Sequence, residues 1–203
     1  MKIICIGRNY LAHVKELDNA LPTEPMFFMK PETALLPAGE PFPYPDFSHE
    51  IHYETELVLH ISKTGKAIDE QRASEYYDAI TVGIDFTARD LQNECKAQGH
   101  PWEIAKAFDY SAPMGEFKKI SELKHSKDIV FGMKLNGEWV QQGRSCDMIF
   151  SFDKIISQIS RFVTLDEGDC IFTGTPQGVG EVHVGDVLEL FLEDVPMFKF
   201  VIK

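Results

Sequence analysis

Residues 51–61, Ile-His-Tyr-Glu-Thr-Glu-Leu-Val-Leu-His-Ile, decide how this chain is read. Ile51, Tyr53, Thr55, Leu57, Leu59 and Ile61 occupy one set of alternate positions, and His52, Glu54 and Glu56 open the other. Side chains two apart on a strand share a face, so the pattern predicts a half-buried strand with one imidazole and two carboxylates on its second face. Alternate Cα atoms lie about 6.6 Å apart, close enough for both carboxylates to reach one ion. Carboxylates so placed resist ionising together unless a cation neutralises them. An oxygen-rich ligand set favours Mg²⁺, Mn²⁺ or Ca²⁺ over zinc. A solvent-facing acidic strand is the plainer reading, and on spacing alone it stands slightly ahead. Asp85 tips the balance, because it ends a second apolar run, AITVGIDF (79–86), where ligands from neighbouring strands can meet.

The overlapping HEIHY (49–53) nearly spells the H-E-x-x-H zinc-protease motif. It fails by one position, since Tyr53 stands where the second histidine is needed, and strand geometry sends His49 and His52 to opposite faces.

Toward the N-terminus, Lys2–Ile6 predicts a strand and Tyr10–Leu17 a short helix. Seven of the eleven prolines then fall between Pro22 and Pro45, which excludes a regular helix or central strand there. Phe27, Phe28, Phe42 and Tyr44 need burial, so this segment is expected to be an ordered loop with a short strand at Met26–Met29. The division expected is one domain over 1–203, with a strand, helix and proline-rich loop in 1–50 and the core in 51–203.

Toward the C-terminus, Asp69–Asp78 predicts a helix. TARDLQNECKAQG (87–99) predicts another, with Thr87 as cap, Asp90 three residues later and Gly99 as stop. Asn136-Gly137 in IVFGMKLNGEWVQQG (129–143) is the strongest hairpin signal in the chain. SFDKIISQISRFVTL (151–165) has Ile155, Ile156, Ile159, Phe162 and Val163 at helical spacing. CIFTG (170–174) and DVLELFL (186–192) predict late strands. The expected class is α+β and β-rich, with about four modest helices.

Twenty basic residues against 32 acidic ones give a net charge of −12, which excludes a phosphate-backbone partner in the absence of a basic patch. The four cysteines are widely separated and form no C-x-x-C pair, which fits a reducing compartment. No apolar run approaches the roughly 20 residues of a membrane span. The expectation is a cytoplasmic protein with no nucleic-acid or membrane partner.

Three further groups could carry chemistry. His13 and Glu16 share a face of the first helix, and a carboxylate that orients an imidazole makes a general base; an exposed surface pair is the plainer alternative. Lys106 is unremarkable alone. GTPQGVG (174–180) lacks the Lys-Ser/Thr ending of a P-loop, leaving a tight surface turn or a backbone anion cradle.

Taken together, IGRNYLAHVKEL (6–17), PMFFMKPETAL (25–35), IHYETEL (51–57), GIDFTARDLQ (83–92), PWEIAKAFD (101–109), KLNGEWVQQG (134–143), MIFSFDKIISQIS (148–160) and LDEGDCIFTGTPQGVG (165–180) resemble the fumarylacetoacetate hydrolase family in order and spacing. The resemblance is closest to its small single-domain acylpyruvate hydrolases and oxaloacetate decarboxylases. It implies a mixed β-roll with flanking helices and a homodimer. It implies that Glu54, Glu56 and Asp85 hold Mg²⁺ or Mn²⁺, with Ca²⁺ as a non-native occupant. His13 and Glu16 match a water-activating pair on a lid segment that orders with substrate, and Lys106 matches a lysine facing the substrate. Arg89 and Gln92, with Arg8, Lys30 and Thr175, match positions near the substrate. GRSCDMIF (143–150) departs from the family pattern at Ser145, Cys146 and Asp147, which bears on substrate preference.

The activity so implied is hydrolysis of a C–C bond in acylpyruvates. A 2-oxo acid can chelate the ion through its carboxylate and 2-oxo oxygens, and a Lewis acid there favours the departing enolate. His13 with Glu16 would activate water, Lys106 would stabilise developing negative charge, and the start of the helix after Thr87 would favour an anionic substrate. Oxaloacetate decarboxylation, and isomerisation or tautomerisation of 2-oxo diacids, need the same centre. A 2-oxo-alkenoate hydratase and a non-catalytic metal-binding module are the alternatives of another class; the water-activating pair argues against the last.

Overall fold

The structure, a computed structural model, describes residues 1–18 and 20–203. The first half of the chain forms β1 (Ile3–Gly7), α1 (Leu11–Glu16), β2 (Met26–Lys30), β3 (Ile51–Tyr53), β4 (Thr55–Ile61), β5 (Tyr77–Ile84), β6 (Thr87–Ala88), α2 (Arg89–Gln98) and α3 (Glu103–Lys106). The second half forms β7 (Lys118–Lys119), β8 (Val130–Leu135), β9 (Glu138–Arg144), α4 (Phe152–Phe162), β10 (Cys170–Phe172), β11 (Gly180–Glu181), β12 (Val187–Leu192) and β13 (Val195–Val201). The class is α+β and β-rich, as expected.

Three sheets result: β2-β1-β10-β4-β5-β7, β11-β3-β6 and β13-β12-β8-β9. Within the first, only β1 and β10 pair in parallel, with Ile4 opposite Ile171; the remaining pairs are antiparallel, so the sheet is mixed. The N-terminal strand thus lies inside the central sheet, next to strands from the C-terminal half. Leu57, Leu59 and Ile61 pack with Ile4, Ile80 and Ile171 in the main core. Val58 turns the other way, into a smaller cluster with Ile3, Cys5 and Phe172. A sheet covered on both faces leaves no solvent face, which corrects the half-buried strand expected for β4.

That expectation fails in a second way. Residues 51–61 are two strands in two sheets, separated at Glu54. The Thr55 amide donates to the Gln141 side chain at 2.8 Å, and the Glu54 carbonyl accepts from the Asp85 amide at 2.8 Å. The crossing between sheets therefore occurs at the residues of interest.

Two helix expectations also change. Asp69–Asp78 contains only a 3₁₀ turn, Glu70–Glu75, because the residues from Tyr77 onward pair with β4 instead. Thr87 does not cap α2: it lies in β6, and its hydroxyl is engaged by Lys106 and the Asp85 carbonyl. Gly99 does end that helix, in the left-handed conformation at φ 68°. The hairpin forms as expected, with positive φ at both Asn136 (52°) and Gly137 (90°). Ser151 caps α4, whose Ile155, Ile156 and Ile159 are buried while Phe162 is exposed.

The proline-rich segment is ordered through β2 and a turn at Glu32–Ala34, and the fully buried Phe42 ring packs 4.2 Å from that of Phe86. All four cysteines are free. No helix among the described residues is long and apolar enough to cross a membrane.

Candidate metal centre and its cavity

Glu54 leaves the junction between β3 and β4, Glu56 projects from β4, and Asp85 follows the end of β5. All three are buried, and one oxygen of each lies within 4.8 Å of the others. Three carboxylates in so small a volume require compensation, and three cations supply it. Lys106 Nζ donates to Glu54 Oε2 at 2.8 Å, Asp85 Oδ2 at 2.7 Å and Thr87 Oγ1 at 2.6 Å. Lys30 Nζ lies 2.8 Å from Asp85 Oδ1 and donates to the Ser111 hydroxyl and the Phe86, Lys106 and Ser111 carbonyls. Arg89 donates through Nη2 to Glu54 Oε1 at 2.5 Å and through Nη1 to Gln92 Oε1 at 2.6 Å.

These contacts divide the carboxylates. Burial opposes the ionisation of Glu54, but Lys106 and Arg89 outweigh it and hold that carboxyl well below its usual range. Glu56 has no such partner. Burial, then Asp85 and Glu54, push it well above the usual range, opposed by the Gly174 amide, which donates to Oε2 at 2.7 Å. Burial lowers the Lys106 ammonium, and Asp85 and Glu54 more than reverse this, raising it.

The donor set fits a hard divalent cation. It consists of oxygen atoms alone, from buried carboxylates, and Asp85 Oδ1 has no hydrogen-bond donor despite its proximity to Lys30. Asp85 Oδ1 is ion-paired to Lys30 without hydrogen-bond geometry, and a metal would use the lone pair that this leaves.

His13 is buried on α1, and its Nδ1 faces Glu16 Oε2 at 3.0 Å. Glu16 Oε1 accepts from the Gly178 amide at 2.9 Å. The glycine-rich segment is therefore an amide cradle for two carboxylates of the protein, Glu56 and Glu16, rather than a free surface turn. His13, Arg8, Lys96, Trp102 and Thr175 line the same cavity as Glu54, Glu56 and Asp85. The structure thus gathers His13, Lys106, Arg8, Arg89, Gln92 and Thr175 around the carboxylates. Lys30 lies beneath them, and Glu16 behind His13.

Two residues escaped the sequence reading, and a third, His52, enters it only as a neighbour of the two glutamates. Gln141, on β9, is fully buried; besides holding the Thr55 amide it donates to Thr175 Oγ1 at 2.9 Å and to the Pro176 carbonyl at 3.0 Å. One side chain thus fixes the backbone between Glu54 and Glu56 and the hydroxyl across the cavity. His52 stands 3.0 Å from Glu50 through Nε2 and accepts from Arg89 Nε at 3.4 Å through Nδ1, so it braces the guanidinium on Glu54. Burial, then Arg89, lowers its pKa. Lys96 lies one turn beyond Gln92 on α2. Only His52 had a sequence signal, its alternation with the two glutamates.

Comparison with known proteins places the whole chain among relatives. The chain is 41% identical over 198 residues to the mitochondrial oxaloacetate tautomerase FAHD1 of Bos taurus, covering 98% of this chain and 90% of that protein. It is 41% identical over 199 residues to the oxaloacetate tautomerase fahd-1 of Caenorhabditis elegans, covering 98% and 93%. The crystal structure of fumarylpyruvate hydrolase from Pseudomonas aeruginosa, in complex with Mn²⁺ and pyruvate, superposes with a TM-score of 0.94 at 36% identity, covering 100% of this chain and 89% of that one. A family model described as fumarylacetoacetate (FAA) hydrolase C-terminal matches residues 2–202. With an acidic triad, a His–Glu pair over it and a match along nearly its whole length, the chain belongs to the fumarylacetoacetate hydrolase family.

Proposed function

We propose that this protein is a divalent-metal-dependent enzyme of 2-oxo acids, cleaving the C–C bond of acylpyruvates by hydrolysis. The observation that carries this is the His13–Glu16 pair set over three buried carboxylates in one cavity. Glu54, Glu56 and Asp85 would hold Mg²⁺ or Mn²⁺, which supplies Lewis-acid polarisation of the 2-oxo group when bound. Glu16 orients the imidazole through Nδ1 and leaves Nε2 free to take a proton from water. Fixed by the Gly178 amide, Glu16 is held in place for that role. Lys106, in reach of both Glu54 and Asp85, is positioned to stabilise negative charge developing on the substrate oxygen. Arg89, Gln92 and Thr175 orient the substrate. The reading extends to a single catalytic domain working as a homodimer.

A second reading, keto–enol exchange of oxaloacetate, is supported by the relatives named oxaloacetate tautomerases, and decarboxylation of oxaloacetate needs the same centre. Keto–enol exchange uses the same base to move a proton at carbon, and neither reaction needs an attacking water.

Incubation with Mg²⁺ and, separately, acetylpyruvate, fumarylpyruvate and oxaloacetate, following pyruvate, CO₂ and the enol absorbance, decides between them. Pyruvate from an acylpyruvate supports hydrolysis. Enol exchange or CO₂ from oxaloacetate alone supports the second reading, and no turnover of any of the three refutes both.

A further inference from the structure

The ion pairs of the cavity engage Lys30, Arg89 and Lys106 and leave Arg8 and Lys96 without a carboxylate partner among the described residues. Both line the cavity.

Each of the two is held there by the fold. Arg8 has φ 60°, a left-handed backbone that disfavours residues with a side chain. The next residue, the fully buried Asn9, maintains it: Nδ2 donates to the Phe150 carbonyl at 3.1 Å and the Thr173 carbonyl at 2.8 Å, and Oδ1 accepts from the Phe150 amide at 2.7 Å. Lys96 shares the face of α2 that carries Arg89 and Gln92, and its ammonium lies 5.7 Å over the Trp102 ring. Burial, then Arg89 and Arg8, lowers the Lys96 pKa, with Glu54 opposing. Two cations that line one cavity and take no part in the chain's own ion pairs suit an anion bound between them.

We propose that Arg8 and Lys96 form an anion subsite at the cavity rim that receives the second carboxylate of a dianionic 2-oxo acid. The inference rests on the reading that the carboxylate triad handles the 2-oxo end of the substrate. It makes the charge at the far end of the substrate the basis of selection: diacids are preferred, and monoacids such as acetylpyruvate are poor ligands.

The test is calorimetric binding, in the presence of Mg²⁺, of two probes matched in length: 2-oxoglutarate and 2-oxopentanoate, which differ by a carboxylate in place of a methyl group. A hydrogen-bonded charge pair is worth about tenfold or more in affinity. We expect wild type to prefer the diacid by that margin, Lys96→Met and Arg8→Gln each to reduce the preference, and the double variant to abolish it. Lys96→Arg should retain it, as should Lys119→Met, which removes an exposed lysine outside the cavity. Lys96 is exposed, so Lys96→Met tests the subsite even if Arg8→Gln fails to fold. Equal affinities in wild type, a preference that survives Lys96→Met undiminished, or no binding of either probe overturns the subsite. A lysine-dependent preference in a protein that turns over none of the three substrates named above would leave the subsite standing and refute the proposed function.

Discussion

Replacing Lys106 with methionine removes the ammonium 2.8 Å from Glu54 Oε2 and 2.7 Å from Asp85 Oδ2 while retaining the bulk of its stem. Glu54 and Asp85, both buried, then each lose a partner and keep one cation apiece, Arg89 and Lys30. Breaking a buried ion pair from one side costs about 3–5 kcal/mol. For a chain of this size each kcal/mol lowers Tm by roughly 2–4 °C, so the variant in chelator should melt about 6–20 °C below wild type. A divalent cation reverses the effect. The ammonium and a bound dication repel one another, so removing the ammonium should tighten Mn²⁺ binding by about tenfold or more even after partial relaxation. Thermal melts in EDTA and in Mn²⁺, with Kd from calorimetry, measure both quantities. A variant that melts with wild type in EDTA, or binds Mn²⁺ more weakly, would refute the claim that Lys106 neutralises the cation site.

Other consequences follow from the same contacts. Glu56 has a folded-state pKa above its ordinary value of 4.5, so folding holds its proton more tightly than the unfolded chain does. Its stabilising contribution is complete below about pH 4.5 and is lost as pH rises through the folded pKa; denaturant melts of chelated protein should show stability falling over that range, and Glu56→Gln should flatten the profile. Because a metal ligand must be ionised, Mg²⁺ affinity should rise with pH over the same range. Gln141→Met strands the Thr55 amide and should weaken Mn²⁺ affinity about 10–100-fold, the range for lost support of metal ligands; an unchanged Kd would show the amide is irrelevant. Gly178→Ala forces a side chain into φ 97° with its Cβ 2.5 Å from the Val140 carbonyl, which should displace the amide from Glu16 and lower kcat while Kd for Mn²⁺ holds. His13→Ala should abolish turnover and leave metal binding intact, which calorimetry beside a pyruvate assay would show.

Local rules carried the reading furthest where a segment answers to its own residues. The Asn136-Gly137 hairpin, α4 and the stop at Gly99 formed as expected, because turn, stop and periodicity signals involve neighbours within a few positions. The Asp69–Asp78 helix and the Thr87 cap did not, because β4 claimed Tyr77 and Lys106 claimed the Thr87 hydroxyl. In both cases a tertiary partner outweighed a local preference.

From the sequence by itself came the α+β class, the alternation that sets Glu54 beside Glu56, the idea that Asp85 joins them, and the i,i+3 pairing of His13 with Glu16. The alternation and the i,i+3 pair are matters of spacing over a few residues, and Asp85 is picked out by its place at the end of its own apolar run. Only the tertiary structure decided that residues 51–61 break between two sheets at Glu54, that Glu56 alone lacks a cationic partner, and that Gln141 and Lys96 belong to the centre. The reason is physical: a charge in a dry cavity is set by whatever the fold brings within a few ångströms. Lys106 reaches Glu54 across 52 positions, and Gln141 reaches Thr55 across 86, separations at which no periodicity in the chain specifies a partner.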